Sequence, residues 1–307
     1  MVLLCPRIHF YEINDQAWFP QYLREKVQSC LTLAWTFRVP VLQKASPAQL
    51  VATTLNRTLS DEVMKHTYVD FCAGAGGPTP YIEKDLNAQL SSREITSTSA
   101  PANGLTLRSP RTTNPPRTNA VQFILTDIHP HIPDWTEASK RSENLSFIAT
   151  SVDAANAPTD ITRQEGKSIF RLYNLAFHHF DDTLGSAILK NTLETSDGFG
   201  IFELQERTAS SLLTICGMGL LFFFITPFYF WRSPGHLFFT YIIPIIPFVL
   251  VVDGYISSLR TRSPEEVQAL MKSCGAPCDG WTIKSGQELH TWPTGYMTWV
   301  IGVKDEK

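Results

Sequence analysis

Three acids stand where strand patterns end: Asp70 in VDFCAGAGG, Asp127 in FILTD and Asp153 in SVDAANAP. Gly74, Gly76 and Gly77 follow the first acid in a turn leading into a helical pattern, and their missing Cβ atoms let the backbone approach a ligand closely. A carboxylate after the second strand can accept both hydroxyls of a ribose, and one after the third can accept from an adenine amino group. Taken singly, each acid reads as a turn or helix-cap Asp. Their succession along three strand ends makes them a candidate site, because ligands of open α/β sheets sit at the carboxyl ends of the strands beside the switch point.

A second group lies in NLAFHHFDD, where Asn174 ends a fourth strand pattern and His178 and His179 follow it. Imidazole titrates near neutral pH, so either ring can deprotonate or orient a nucleophile; the competing role is packing and capping. Glu203 and Glu206, after a fifth strand pattern, are supporting candidates with the same ambiguity.

Rival chemistries find less support. Thr79 occupies the place of the third glycine of a dinucleotide fingerprint, which argues against a nicotinamide or flavin. The turn lacks the Lys-Ser/Thr ending that phosphates need, and no Gly-x-Ser-x-Gly elbow occurs, which disfavours an NTPase and a serine hydrolase. Cys274 and Cys278 have no second pair at zinc spacing, so no metal is expected. The six cysteines are scattered along the chain and suggest a reducing compartment. A formal charge of −3 and the lack of basic stretches with interleaved aromatics disfavour a nucleic-acid partner, and none is expected.

The elements that would carry these residues alternate. Residues 14–66 read as helices: Trp18, Tyr22, Val27, Leu31, Leu33, Trp35 and Phe37 form an apolar face, and Ser46-Pro47 caps a second helix through Leu50 and Leu55. Strand patterns begin at HTYVDF and recur at 121–127, 145–153, 169–177, 198–206, 281–287 and 296–303, mostly separated by helix-length segments. This alternation predicts a doubly wound, mostly parallel seven-stranded α/β sheet. Between 91 and 119, Ser, Thr, Pro and Arg dominate without apolar periodicity, and the expectation is a disordered polar insert.

The ordered run VDFCAGAGG, LTDIHPH, SVDAANAP, NLAFHHFDD, TSDGFGIFELQ resembles the motif series of class I, Rossmann-like, S-adenosylmethionine-dependent methyltransferases over about 66–206. VDGYISSLRTRSPEEVQALM and YMTWVIGV resemble the late helix and last strand of that family. The resemblance implies S-adenosylmethionine as cofactor: Asp70, Gly74, Gly76 and Gly77 around its methionine portion and ribose, Asp127 on the ribose hydroxyls, Asp153 and Ala154 at the adenine edge, and Asn174 where the methyl faces its acceptor. Two departures stand out. Cys72 replaces the first glycine of the turn, and the polar insert lengthens the span to Asp127.

The organisation expected is an N-terminal helical cover (1–65) and a methyltransferase-like domain (66–307), with an apolar insertion at 212–252 after the fifth strand. LLTICGMGLLFFFITPFYFW carries about 20 residues without a charge, and LFFTYIIPIIPFVLVV follows across the turn RSPGH. Two readings stand: contact with a membrane, as a spanning or re-entrant hairpin or more shallowly, or a lining of core and substrate pocket, which Pro227, Pro244 and Pro247 favour. The N-terminal apolar run is too short for a signal peptide, so an intracellular protein is expected, cytoplasmic or on the cytoplasmic face of a membrane. Function then reads as methyl transfer to a small apolar or lipid-like acceptor; the alternative is a non-catalytic membrane-associated protein that keeps the fold. Neither the acceptor atom nor the oligomeric state follows from the sequence.

Overall fold

A computed structural model describes residues 2–98, 120–158, 161 and 166–305, the side chains of 94–98 aside. Seven strands, β1 (His66–Phe71), β2 (Phe123–Thr126), β3 (Leu145–Phe147), β4 (Ser168–Asn174), β5 (Gly198–Glu203), β6 (Trp281–Thr291) and β7 (Gly295–Lys304), form one sheet in the order β3-β2-β1-β4-β5-β7-β6. The pairings β1 with β2 and β4, β2 with β3, and β4 with β5 are parallel; β7 runs antiparallel to both β5 and β6. The sheet is therefore mixed at its late edge. Every residue of β1, β2 and β5 is buried, as expected of parallel strands covered on both faces.

Helices cover the two faces. One core joins α2 (Pro47–Leu59) and α3 (Thr79–Thr98) to Tyr68, Phe123, Leu125, Phe170 and Phe202. The other joins α5 (Asp182–Thr195) and α9 (Pro264–Ser273) to Val69, Phe71, Tyr173, Phe199 and Ile201. A short α4 (Ile132–Ser139) buries Trp135. Ser46 caps α2 through a capping box with Gln49, and Pro47 opens the helix.

Several expectations need correction. In α1 (Gln21–Thr36) the buried residues are Leu23, Val27, Cys30 and Trp35, whereas Trp18, ahead of the helix, and Tyr22 face solvent. Residues 91–98 continue α3 as helix instead of opening a disordered insert; 99–119 lie outside the described residues. Strand β3 ends at Phe147, so Asp153 stands beyond it as the cap of a 3-10 turn, Ala154–Asn156.

The apolar insertion forms three helices: α6 (Ala209–Tyr229), α7 (Pro234–Tyr241) and α8 (Ile245–Arg260). Among the described residues α6 alone is long and apolar enough to cross a bilayer, and α7 with α8 forms a pair bent by 72°. Pro244 and Pro247 lie at the start of α8, where no intrahelical N–H partner is lost. α6 and α8 approach closely through two glycines: a Cβ on Gly219 would stand 2.2 Å from Val251 Cγ2, and one on Gly254 would stand 2.7 Å from Ile215 Cγ2. The hairpin is closed by this contact and lies over the carboxyl ends of the strands, against α1.

Candidate functional site

The sheet order reverses between β1 and β4, and the carboxyl ends of these two strands diverge there to leave a crevice. Asp70, near the end of β1, and Asn174, at the end of β4, both line a cavity of about 340 Å³ at this point. The turn after β1 runs through left-handed backbone: Cys72 at φ 69°, Gly74 at 53°, Gly76 at 100° and Gly77 at 47°. Such angles suit glycine and strain a residue with a Cβ, so Cys72 adopts a conformation that favours the glycine it replaces.

Asp70 is fully buried. Its Oδ2 accepts from the Thr79 hydroxyl, which in turn accepts from Asn174 Nδ2 at 3.2 Å. Burial pushes the Asp70 carboxyl up to about 7 against the hydrogen bonding of Thr79 and Asn174. Among the described residues, Asp70 Oδ1 and Asn174 Oδ1 have no hydrogen-bond partner. Two orphan acceptors at a crevice call for a ligand that brings donors.

Asp127 stands just past β2 and is half-buried. Its Oδ2 accepts the Gly74 N–H at 2.9 Å and its Oδ1 accepts the His129 N–H at 2.8 Å. Trp135 Nε1 donates to the Gly74 carbonyl at 2.8 Å, so the turn is held from both sides. Asp153 is exposed and accepts the Ala155 N–H at 2.8 Å; the buried Arg171 donates to the Ala154 carbonyl at 3.2 Å. The crevice thus gathers Asp70, Gly74, Gly77 and Asn174 on the cavity, with Gly76 buried beneath the turn, while Asp127, Asp153 and Ala154 stand outside its lining.

His178 and His179 lie in the 3-10 turn Phe177–His179 after β4 and line the same cavity. His178 is buried; its Nδ1 is 2.8 Å from Glu203 Oε2, and its Nε2 is 3.5 Å from Glu12 Oε1. Burial disfavours the charged ring, but Glu203 and Glu12 outweigh it and push His178 up to about 10. Burial likewise works against the Glu12 carboxylate, and the His178 hydrogen bond, both imidazoles and Arg260 bring it down to about 2. His178 therefore holds its proton at neutral pH and does not serve as a base there, and the base reading passes to the partly exposed His179. Glu203 holds His178, whereas Glu206, also buried, accepts from Gln287 Nε2 at 2.8 Å.

Sequence reasoning missed Glu12, Asp15 and Asp253. Asp253 in α8 accepts the N–H groups of Ile13 and Asn14 at 2.7 and 2.9 Å, which fastens the N-terminal segment across the site. Burial pushes Asp253 up to about 6; those two N–H bonds oppose the rise, and the charges of Glu12 and Asp15 add to it. No local pattern marks these acids, since their partners lie far along the chain. Opposite them the cavity is apolar, with Trp35, Ile215, Met218, Phe222 and Leu250 on its wall. The insertion therefore does line a pocket, while its outer face remains exposed at Leu220, Phe224 and Phe228.

Comparison with solved structures places this architecture. The plantazolicin methyltransferase BpumL, solved with a triazolic desmethylPZN analog and SAH, aligns over 95% of this chain and 94% of its own at TM-score 0.50 and 12% identity. The fold is that of a methyltransferase. BpumL with SAH alone aligns over the same shares at TM-score 0.49 and 12% identity, and the pyocyanin biosynthetic protein PhzM over 84% of this chain and 55% of its own at 0.43 and 11%. No family model and no curated protein matches the chain.

Proposed function

We propose that the chain binds S-adenosylmethionine across the β1–β4 crevice and transfers its methyl group to a small acceptor with a large apolar part. The observation that carries this reading is the pair of unpartnered oxygens, Asp70 Oδ1 and Asn174 Oδ1, beside a turn of positive-φ residues at the switch point of a methyltransferase fold. The methionine portion of the cofactor carries an ammonium group whose donors suit those two acceptors. Asp127, already bonded to the turn, has the acceptor chemistry for ribose hydroxyls, and Asp153 and Ala154 are assigned the adenine edge.

The cofactor supplies an electrophilic methyl on a sulfonium. The chain's contribution is position and dryness: an in-line transfer needs near-attack geometry and exclusion of water more than a strong acid. Trp35, Met218 and Phe222 would enclose the apolar part of the acceptor, and His178 and His179 would orient its nucleophilic atom. Incubation with methyl-labelled S-adenosylmethionine and a lipid and metabolite extract tests the proposal. A labelled small molecule supports it; binding of S-adenosylhomocysteine without any labelled product favours the alternative, a non-catalytic protein that keeps the fold. Absence of binding to either ligand would overturn both the cofactor and the activity.

Membrane contact belongs to the same proposal. The inner faces of α6 and α8 pack on α1 and the cavity, and α1 carries Arg24, Glu25 and Lys26, so a hairpin inserted across a bilayer would drag charges with it. Shallow contact through the exposed outer face, from a cytoplasmic side, meets no such obstacle.

A further inference from the structure

We infer that Glu12, His178 and His179 form a binding site for a divalent first-row transition-metal ion on the wall of the cavity. One ligand atom from each of the three lies within 4.8 Å of the other two. The arrangement behind them is what makes the cluster more than a proximity. His178 Nδ1 is 2.8 Å from Glu203 Oε2, and His179 Nδ1 is 3.0 Å from Asp15 Oδ2. A carboxylate only accepts, so each one keeps a proton on Nδ1 and leaves Nε2 as the ligand atom, which on His178 becomes free when an ion displaces its second proton. Carboxylates behind both imidazoles are the supporting contacts that metal-binding histidines characteristically have.

Both Nε2 atoms face Glu12, at 3.5 Å from Oε1 for His178 and 4.0 Å from Oε2 for His179. Ligand atoms held about 2.1 Å from a metal stand roughly 3.0–3.4 Å apart at octahedral or tetrahedral angles, so these two separations must shorten by about 1 Å or less to close on an ion. Glu12 Oε1 is committed to Ser257 Oγ at 2.8 Å and to Arg260 Nη1 at 3.1 Å, which fixes the carboxylate and leaves Oε2 for an ion. Arg260 is the main electrostatic objection. Against its charge and that of the His178 imidazolium stand Glu12, Asp15, Glu203 and Asp253, an excess that a divalent cation would reduce by taking the place of the imidazolium proton.

Two imidazoles and one carboxylate suit zinc, iron, cobalt or manganese; magnesium and calcium prefer oxygen alone. The remaining coordination positions open on the cavity, where a bound acceptor hydroxyl would lose its proton more easily. That last step rests on the methyl-transfer proposal, whereas binding of the ion does not.

Titration of the metal-stripped full chain with Co²⁺, followed by calorimetry and visible absorption, tests the site. One ion per chain in the micromolar range, displaced by Zn²⁺ and not by excess Mg²⁺, is expected. His179→Ala and Glu12→Gln should each weaken binding at least tenfold, and Asp15→Asn about tenfold through loss of the supporting bond. Cys274→Ser/Cys278→Ser should leave it unchanged. Retained binding of S-adenosylhomocysteine by each variant reports an intact fold and keeps the metal site separate from the cofactor proposal. Wild type binding no Co²⁺ or Zn²⁺ below millimolar concentration would overturn the inference, as would binding undiminished in both His179→Ala and Glu12→Gln.

Discussion

The Gly74 N–H donates to Asp127 Oδ2 at 2.9 Å, joining the turn after β1 to the acid after β2 across 53 positions of chain. The acid offered to a ribose is therefore also a brace for the turn that must approach the same ligand. Asp127→Ala should weaken S-adenosylhomocysteine binding by about 1.5–3 kcal/mol, the range for hydrogen bonds to charged groups. Asp127→Asn keeps an acceptor for Gly74 and should recover part of the loss. Calorimetry on the three proteins decides it, and equal affinity throughout would remove Asp127 from the site.

Asp70 predicts a pH dependence of definite sign. Its folded pKa, about 7, lies above the ordinary 3.8 of an unfolded chain, so the folded state holds a proton that the unfolded state releases. The contribution to stability is fully present below about pH 4 and is lost as pH rises toward 7. Asp70→Asn should remove this dependence and raise the melting temperature of the ligand-free protein at pH 8. Binding runs the other way, because a cationic ligand prefers the ionised carboxylate: affinity for S-adenosylmethionine should increase from pH 6 to pH 8 in wild type and stay flat in Asp70→Asn. Melting curves and binding isotherms at the two pH values check both halves.

Cys72 is a conformational misfit whose repair is measurable. With φ at 69°, it carries a left-handed strain of roughly 1–2 kcal/mol, part of which a glycine would relieve after its larger unfolded-state entropy is counted. Cys72→Gly should raise stability by about 0.5–1 kcal/mol with S-adenosylhomocysteine affinity retained. Cys72→Val, β-branched at the same angle, should lower it. Urea unfolding of the pair provides the comparison, and a stabilising valine would refute the strain.

Parallel strands announce themselves because burial on both faces leaves continuous apolar runs, which is why β1, β2, β4 and β5 stand close to where their residues place them. Locally encoded chemistry is equally readable: the glycine turn and the Ser46-Pro47 cap depend on neighbours in sequence. What could not be read depends on distant neighbours. Glu12 sits in an N-terminal stretch without periodicity, and its role appears only when Asp253, some 240 positions away, clasps Ile13 and Asn14. Residues 91–98 misled for the opposite reason, since polar composition forbids burial without forbidding a helix already nucleated by α3. The apolar insertion read two ways because hydropathy does not distinguish a wall facing a cavity from one facing lipid.

The outer face of that insertion yields the last prediction. Leu213, Leu220, Phe224 and Phe228 recur at helical spacing along α6 and are all more than half exposed, with Trp231 beyond them and Ile242 and Phe248 on the second arm. Such a continuous apolar stripe is rarely left to water by a soluble monomer, and an aromatic rim suits the interfacial zone of a bilayer. Each side chain transferred would contribute about 1.5–3 kcal/mol if fully buried, so four or five half-inserted ones suffice for reversible attachment. The inner residues Gly219, Phe222 and Thr226 hold the helix in place, so substitution of the outer ones leaves the packing alone. Leu220→Ser/Phe224→Ser/Phe228→Ser should co-sediment with liposomes at least tenfold less than wild type while binding S-adenosylhomocysteine equally. Wild-type protein that stays in the supernatant with liposomes, or a triple variant that sediments as before, would confine the insertion to its role as a pocket wall.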